Sequence, residues 1–292
     1  MATQQLSRDP RRRLAYLGPS GTLTEEAAER FAQKLGVPAD DLVPCGSIPA
    51  SLELVQAGEA AWAVVPAENS TEGSVGLTWD YLLFATGLTI AGEAALPVVH
   101  HLLGQRGLNL ATVSTVLSHP QALGQCRNFL RQHLPQAKQY ETASTAEAAR
   151  VVSVNQLPLA AIGQERAARR YGLDILVAAI QDVKENATRF LLVTKVGLAT
   201  EPAPPTGRDR TSLACTLERD RPGGLHRMLG HFAERGLNLS RIESRPARKQ
   251  LGDYVFFIDV EGHVAEPALA AALEELKADG SLLRVLGSYS RA

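Results

Sequence analysis

One stretch constrains this chain more than any other. Between Gly197 and Gly207 it carries Pro202, Pro204 and Pro205 as well as the two glycines, with no apolar periodicity. Proline fixes φ and removes a backbone donor, so a segment of this kind reads as an exposed, semi-stiff linker over 197–209 rather than a helix or a central strand. It separates two different patterns. Upstream, short apolar runs alternate with helix-period segments, which predicts a mostly parallel α/β sheet across residues 13–196. Downstream the order is strand Thr211–Glu218, helix Gly223–Arg235, strand Leu239–Ser244, strand Tyr254–Val260, helix Pro267–Ala278 and strand Leu282–Leu286. That βαββαβ order predicts a ferredoxin-like unit over 210–288. A chain of 292 residues has room for both units.

Within the first unit, Arg13–Leu17 predicts a strand, followed by the turn Gly18-Pro19-Ser20-Gly21. A helix is expected near Thr24, with Glu25 and Glu26 in the first turn, where the helix dipole favours acidic side chains. Ala61–Val65 reads as a strand interrupted by Pro66. Val113–Leu117 is expected to be another, followed by a helix to about His133. Ala160–Ile162 and Ile175–Ala178 flank a helix ending near Tyr171, and Phe190–Val196 closes the region.

Ligands of open α/β sheets collect at the carboxyl ends of strands, and four polar segments fall at such places. Gly18-Pro19-Ser20-Gly21-Thr22 either cradles an anion on helix-start amides or is a structural turn with a cap. Pro66-Ala67-Glu68-Asn69-Ser70-Thr71-Glu72-Gly73 carries more polar side chains after an apolar strand than a turn needs. Ser118-His119-Pro120-Gln121, with Gln125 one turn on, is explained equally by Ser118 as a helix cap. The fourth, Asp182–Phe190, enters a strand in which alternation puts Thr188 and Phe190 on one face and Arg189 on the other. A guanidinium beside a hydroxyl suits a carboxylate-bearing substrate, with a surface ion pair as the alternative.

The net charge of −1 argues against a phosphate-tracking surface for nucleic acid or an anionic membrane. Cys45, Cys126 and Cys215 lie far apart without CxxC spacing, which predicts a reduced compartment and neither zinc site nor disulfide framework. The apolar run after Arg11-Arg12-Arg13 stops at Gly18-Pro19, too short for a secretory signal. No apolar run approaches the roughly 20 residues of a membrane span. A cytoplasmic protein is expected.

Taken together, Gly-Pro-Ser-Gly-Thr at 18–22, Pro-Ala-Glu-Asn-Ser at 66–70, Ser-His-Pro-Gln at 118–121 and Thr-Arg-Phe at 188–190 resemble the prephenate dehydratases in order and spacing. Ser144–Ala149 and Ala160–Gly163 extend the match. The C-terminal unit resembles an ACT domain, and Glu243-Ser244-Arg245-Pro246 is similar to that family's effector motif. Gly223-Gly224-Leu225 departs from its usual Gly-Ala-Leu, and Ala67 replaces a bulkier apolar residue.

The resemblance implies a doubly wound catalytic region of two lobes, like a periplasmic binding protein, with the active site between them. It implies conversion of prephenate to phenylpyruvate, water and CO2 without a cofactor or metal, and a homodimer or homotetramer. Thr188 is expected to meet the leaving ring hydroxyl. Thr22, Glu68, Asn69, Ser70, Ser118, Gln125 and Arg189 are the expected substrate-binding residues. Phenylalanine is expected to bind near Gly223, Gly224, Leu225, Asn238, Glu243, Ser244, Arg245 and Pro246. About a dozen residues precede the first strand, so the chorismate mutase domain found ahead of many relatives is not expected here. The alternatives are arogenate dehydratase, whose substrate carries an amine in place of the ketone, and a non-catalytic two-lobed amino-acid sensor.

Overall fold

The computed structural model describes residues 9–198, 204–217, 222–246 and 254–292. Residues 199–203 of the expected linker, and Glu218 at the end of an expected strand, lie outside the described residues. The first lobe comprises β1 (Leu14–Leu17), α1 (Leu23–Leu35), β2 (Leu42–Cys45), α2 (Ile48–Ala57), β3 (Trp62–Asn69), β4 (Gly73–Ser74), α3 (Gly76–Phe84) and β5 (Leu88–Pro97). The second comprises β6 (His101–Gly104), β7 (Thr115–Ser118), α4 (Pro120–Gln125), α5 (Arg127–His133), β8 (Lys138–Glu141), α6 (Thr145–Val154), β9 (Leu159–Gly163), α7 (Glu165–Tyr171) and β10 (Asp174–Val177). The chain then returns to the first lobe as β11 (Ala187–Lys195).

The first sheet runs β2-β1-β3-β11-β5, with β4 beside β3, and the second runs β10-β6-β9-β7-β8. Neither is mostly parallel. β11 is antiparallel to both β3 and β5, and β6 is antiparallel to β9 and β10. Expectation and structure part here because β11 comes back from the other lobe instead of following a crossover helix. Pro66 does not interrupt β3 either. It sits where the β3–β11 register shifts between Arg189 and Phe190, so its missing N–H falls at a bulge.

Helix boundaries follow local chemistry. Thr22 caps α1 by accepting from the Glu25 N–H, and Gly36 ends that helix in the left-handed region at φ 67°. Ser144 caps α6 in the same way through the Glu147 N–H. The single helix expected to reach His133 is two, broken at Cys126.

Alternation along β11 divides the first lobe. Phe190 and Leu192 pack with Leu14, Tyr16, Phe31 and Val64 beneath α1. Leu191 and Val193 face the opposite way, with Ala63, Val65 and Leu52. On that second face the core continues without a break into the C-terminal unit, through Ala214, Val255, Phe257, Leu286 and Tyr289.

The C-terminal unit contains β12 (Asp209–Thr216), α8 (Gly224–Ala233), β13 (Leu239–Pro246), β14 (Tyr254–Glu261), α9 (Pro267–Ala278) and β15 (Leu282–Ser290), the βαββαβ order. Its antiparallel sheet is ordered β13-β14-β12-β15. Helices cover one face, and the other lies on the first lobe. A Cβ at Gly287 would overlap the Ile90 backbone, so β15 and β5 touch main chain to main chain. Arg284 ties the same edge by donating to the carbonyls of Leu83 and Ala85, both at 2.6 Å. Among the described residues, no helix is long and apolar enough to cross a membrane.

Candidate active site

The two lobes are joined by residues 98–100 and 178–186, and these crossings are bonded to each other. The Val98 N–H donates to the Asn186 carbonyl and the Ile180 N–H to the His100 carbonyl, both at 2.8 Å. Beside them lies a cavity of about 230 Å³ between the lobes. Leu23, Asn69 and Thr188 line it from the first lobe; His119, Gln121, Gln125, Ser144, Thr145 and Gln164 line it from the second, and His100 from the crossing. None of these side chains is a carboxylate, lysine or arginine. A larger recess of about 710 Å³ shares Leu23 and Gln164 and is bordered by Arg166 and Arg169.

Thr188 stands opposite Asn69 across the β11–β3 ladder. The Asn69 Nδ2 donates to Thr188 Oγ1 at 2.9 Å. Which end of the amide is which follows from its other contacts. Its Oδ1 accepts the Thr71 and Glu72 N–H groups at 3.0 and 3.1 Å, which only the oxygen can do. With one lone pair of Thr188 occupied, its own O–H remains available to a bound molecule.

A second network spans the lobes. Gln125 Oε1 lies 3.0 Å from His100 Nε2 and accepts from Asn186 Nδ2 at 3.1 Å, while Gln125 Nε2 donates to Glu72 at 3.3 Å. The amide oxygen must therefore accept from His100, which fixes the Nε2–H tautomer. Burial holds the His100 pKa below its ordinary value, so the ring is neutral around pH 7. Ser70 Oγ donates to Asn186 Oδ1 at 3.1 Å and accepts the Ala187 N–H at 3.0 Å, fastening the loop before β11.

Several residues expected to touch substrate are placed elsewhere. Ser118 is fully buried and donates to the Ile162 carbonyl at 2.8 Å; the cap of α4 is His119, one residue later, because the helix starts at Pro120. Thr22 is committed to capping α1 and to the Pro19 carbonyl at 2.9 Å, and Ser70 to the loop before β11. Arg189 points away from the cavity, as alternation requires. Its Nε lies 2.7 Å from Glu93, its Nη1 donates to Asp259 at 2.6 Å and its Nη2 to Tyr289 at 2.8 Å. Glu68 lies on that same far face, 3.7 Å from Arg189. Neither faces the cavity.

The sequence did not point to His100 and Gln164, which line the cavity, or to Asn186, which holds Gln125 beside it. All three lie between regular elements, where periodicity carries no information. The only sequence signal for His100 is a pair of histidines just after a strand that ends in proline.

In the C-terminal unit, Leu225, Asn238, Ser244 and Pro246 are exposed. Alternation turns Glu243 and Arg245 to the first lobe, where Arg245 Nε meets Asp80 at 2.9 Å and its guanidinium covers Gly76. Gly223 precedes α8 at φ 80°, and Gly224, buried, begins the helix.

Among the described residues, no group of three or more His, Cys, Asp or Glu is placed to hold a metal ion.

Comparison with known proteins agrees with this architecture. The family model for prephenate dehydratase matches residues 14–197, and that for the ACT domain matches 211–278. A prephenate dehydratase of Amycolatopsis methanolica is 41% identical over 280 residues, covering 96% of this chain and 89% of that protein. A solved prephenate dehydratase from Arthrobacter aurescens, in complex with L-Phe, superposes with a TM-score of 0.85 at 38% identity, covering 96% of this chain and 90% of that one. GqqA, described as a novel type of quorum quenching acylase, superposes at 0.82 with 30% identity, covering 96% and 98%. On the strength of its matched dehydratase region and its relatives, this chain belongs to the prephenate dehydratase family and carries an ACT domain after the dehydratase region.

Proposed function

We propose that this chain converts prephenate to phenylpyruvate, carbon dioxide and water in phenylalanine biosynthesis, in the cytoplasm and as a homo-oligomer. The observation that carries the reading is the Thr188 hydroxyl, which accepts from Asn69 and borders a cavity whose lining holds amides, hydroxyls and imidazoles. Prephenate brings two carboxylates and a ring hydroxyl. Aromatisation drives the reaction, so the protein has to hold the ring and help hydroxide depart. Thr188 donates to the departing oxygen, positioning it or relaying a proton, since a threonine hydroxyl is a weak acid.

Among the described residues, the cavity offers the carboxylates no lysine or arginine. They meet amide and hydroxyl donors and the N-terminal ends of α1 and α6, which reach it at Leu23 and at Ser144 and Thr145. Free N–H groups and the dipole of a helix start favour an anion there. Neutral His100, held by Gln125, adds no charge.

Feedback enters through the C-terminal unit. L-phenylalanine is proposed as its ligand, near Gly223–Leu225, Asn238 and the exposed side of β13; the matched relative crystallised with L-Phe supports this. The functional division is proposed as 13–196, 197–209 and 210–288.

The test is direct. Purified full-length chain is given prephenate and phenylpyruvate is measured, with and without L-phenylalanine; arogenate, and an N-acylated compound as an acylase would take, serve as rival substrates. Turnover of a rival in preference to prephenate overturns the reading.

A further inference from the structure

The polar cluster on the far side of β11 is linked more closely to the reaction than its distance from the cavity suggests. Thr188 and Arg189 are neighbours on one strand and project to opposite faces. Thr188 enters the cavity; Arg189 enters the seam with the ACT sheet, its side chain 12% exposed. There the hydrogen bonds close into a ring whose two arms both run from Arg189, the donor at either end, to Asp259, the acceptor at either end. Arg189 Nη2 donates to the Tyr289 oxygen at 2.8 Å, which frees the Tyr289 proton for Ser212 at 2.6 Å. Ser212 donates in turn to Asp259 Oδ1 at 2.5 Å, and Arg189 Nη1 donates to Asp259 Oδ2 at 2.6 Å. Glu93, on β5 of the first lobe, lies against both Arg189 and Arg210 and completes the charge balance.

Two further observations give this ring leverage on the cavity. Three of its four members, Ser212, Asp259 and Tyr289, sit on three different strands of the ACT sheet, so it reports the position of that sheet as a whole. The fourth anchors β11 where its register with β3 shifts, between Arg189 and Phe190. A bulge interrupts the regular ladder, so the side-chain tether has more influence on the strand there than elsewhere.

We infer that Arg189 is a positioning residue for the dehydration, and that its closed ring with Tyr289, Ser212 and Asp259 is the contact through which the ACT domain sets the Thr188 hydroxyl. This rests on the reading of Thr188 as the group that meets the departing hydroxyl. A ligand that moves the ACT sheet acts on β11 at the ring; a ligand that leaves the sheet in place does not.

The experiment uses the full chain with Tyr289→Phe and Asp259→Asn, each close in shape to the parent side chain. Arg284→Ala serves as control, because it cuts a different tether between the same two units. Prephenate kinetics, the L-phenylalanine response and amide hydrogen exchange of the peptide spanning 186–192 are followed for each. The expected result is a kcat at least tenfold lower in both ring variants with KM within twofold, a blunted phenylalanine response, and faster exchange across 186–192. Arg284→Ala is expected to keep the parent's kcat and its exchange in that segment. Ring variants with parental kcat and parental exchange overturn the inference, as does an equal loss in the control. If the parent itself leaves prephenate untouched, the functional reading fails; exchange across 186–192 then still decides whether the ring holds β11.

Discussion

The two faces of β11 solve opposite problems with opposite chemistry. On the cavity side, among the described residues, the lining holds no carboxylate, lysine or arginine: it is made of amides, hydroxyls and two imidazoles, of which the buried His100 is uncharged, with hydrogen-bonding capacity left open. On the ACT side two arginines and two carboxylates are packed into a buried, mutually compensated cluster with Tyr289 and Ser212. A site for a dianion that must release its product gains little from fixed cations, whereas a seam that must hold one geometry gains from charges with defined partners. Burial pushes the Tyr289 phenol well above its ordinary pKa, so its proton stays in the ring at any working pH.

The comparison is most severely tested by Glu93→Ala. It leaves Arg210 without its carboxylate and takes one carboxylate from Arg189, which keeps Asp259, and losing one partner of a buried ionic cluster costs about 3–5 kcal/mol. Urea unfolding is expected to show that loss, with the seam giving way first. Thr188→Ala is the mirror experiment. About 2.7–4 kcal/mol of transition-state stabilisation disappears, a fall of at least about a hundredfold in kcat, while the melting temperature moves by no more than a few degrees. Near-parental turnover in that variant would remove Thr188 from the chemistry.

Gln125→Ala cuts the bridge between the lobes at His100, Asn186 and Glu72. It is expected to cost on the order of 1 kcal/mol per lost hydrogen bond, read as a raised KM more than a lowered Tm. A pH series probes the neutrality of the cavity. Because the folded-state pKa of His100 is lowered by burial, below about 6.5 the unfolded chain takes up a proton that the folded one refuses. Stability from this group is therefore present above about pH 6.5 and is lost as pH falls toward the lowered folded value. His100→Gln should flatten that part of the Tm–pH curve. The smallest effect is expected at Arg169–Glu165, an exposed pair with side chains 77% and 53% accessible. Arg169→Ala should change stability by less than about 0.5 kcal/mol, since exposed pairs contribute little.

Much of this arrangement was legible before the structure, and the misses have physical causes. The βαββαβ order emerged from apolar periodicity and turn residues, because a helix that packs on a sheet must show its buried stripe. Alternation correctly put Thr188 and Arg189 on opposite faces. It could not say which face met the other lobe and which met the ACT sheet, so Arg189 and Glu68 were assigned to substrate. Ser118 was legible as a helix start but displaced by one residue, because Pro120 sets the first helical turn and His119 takes the cap. Asn69 and Gln125 do line the cavity with Thr188. His100 and Asn186 owe their places to crossings between lobes, a long-range geometry that leaves almost no local trace.

Gly287 carries a consequence for anyone rebuilding this molecule. Because β15 rests its main chain directly on Ile90, the ACT unit is not an interchangeable sensor that can be swapped for a relative's by joining at the linker. A graft has to bring a residue without a side chain to that point, together with partners for Arg189 and Glu93. Otherwise the new unit is tethered but never docked, and the dehydratase runs deaf to it.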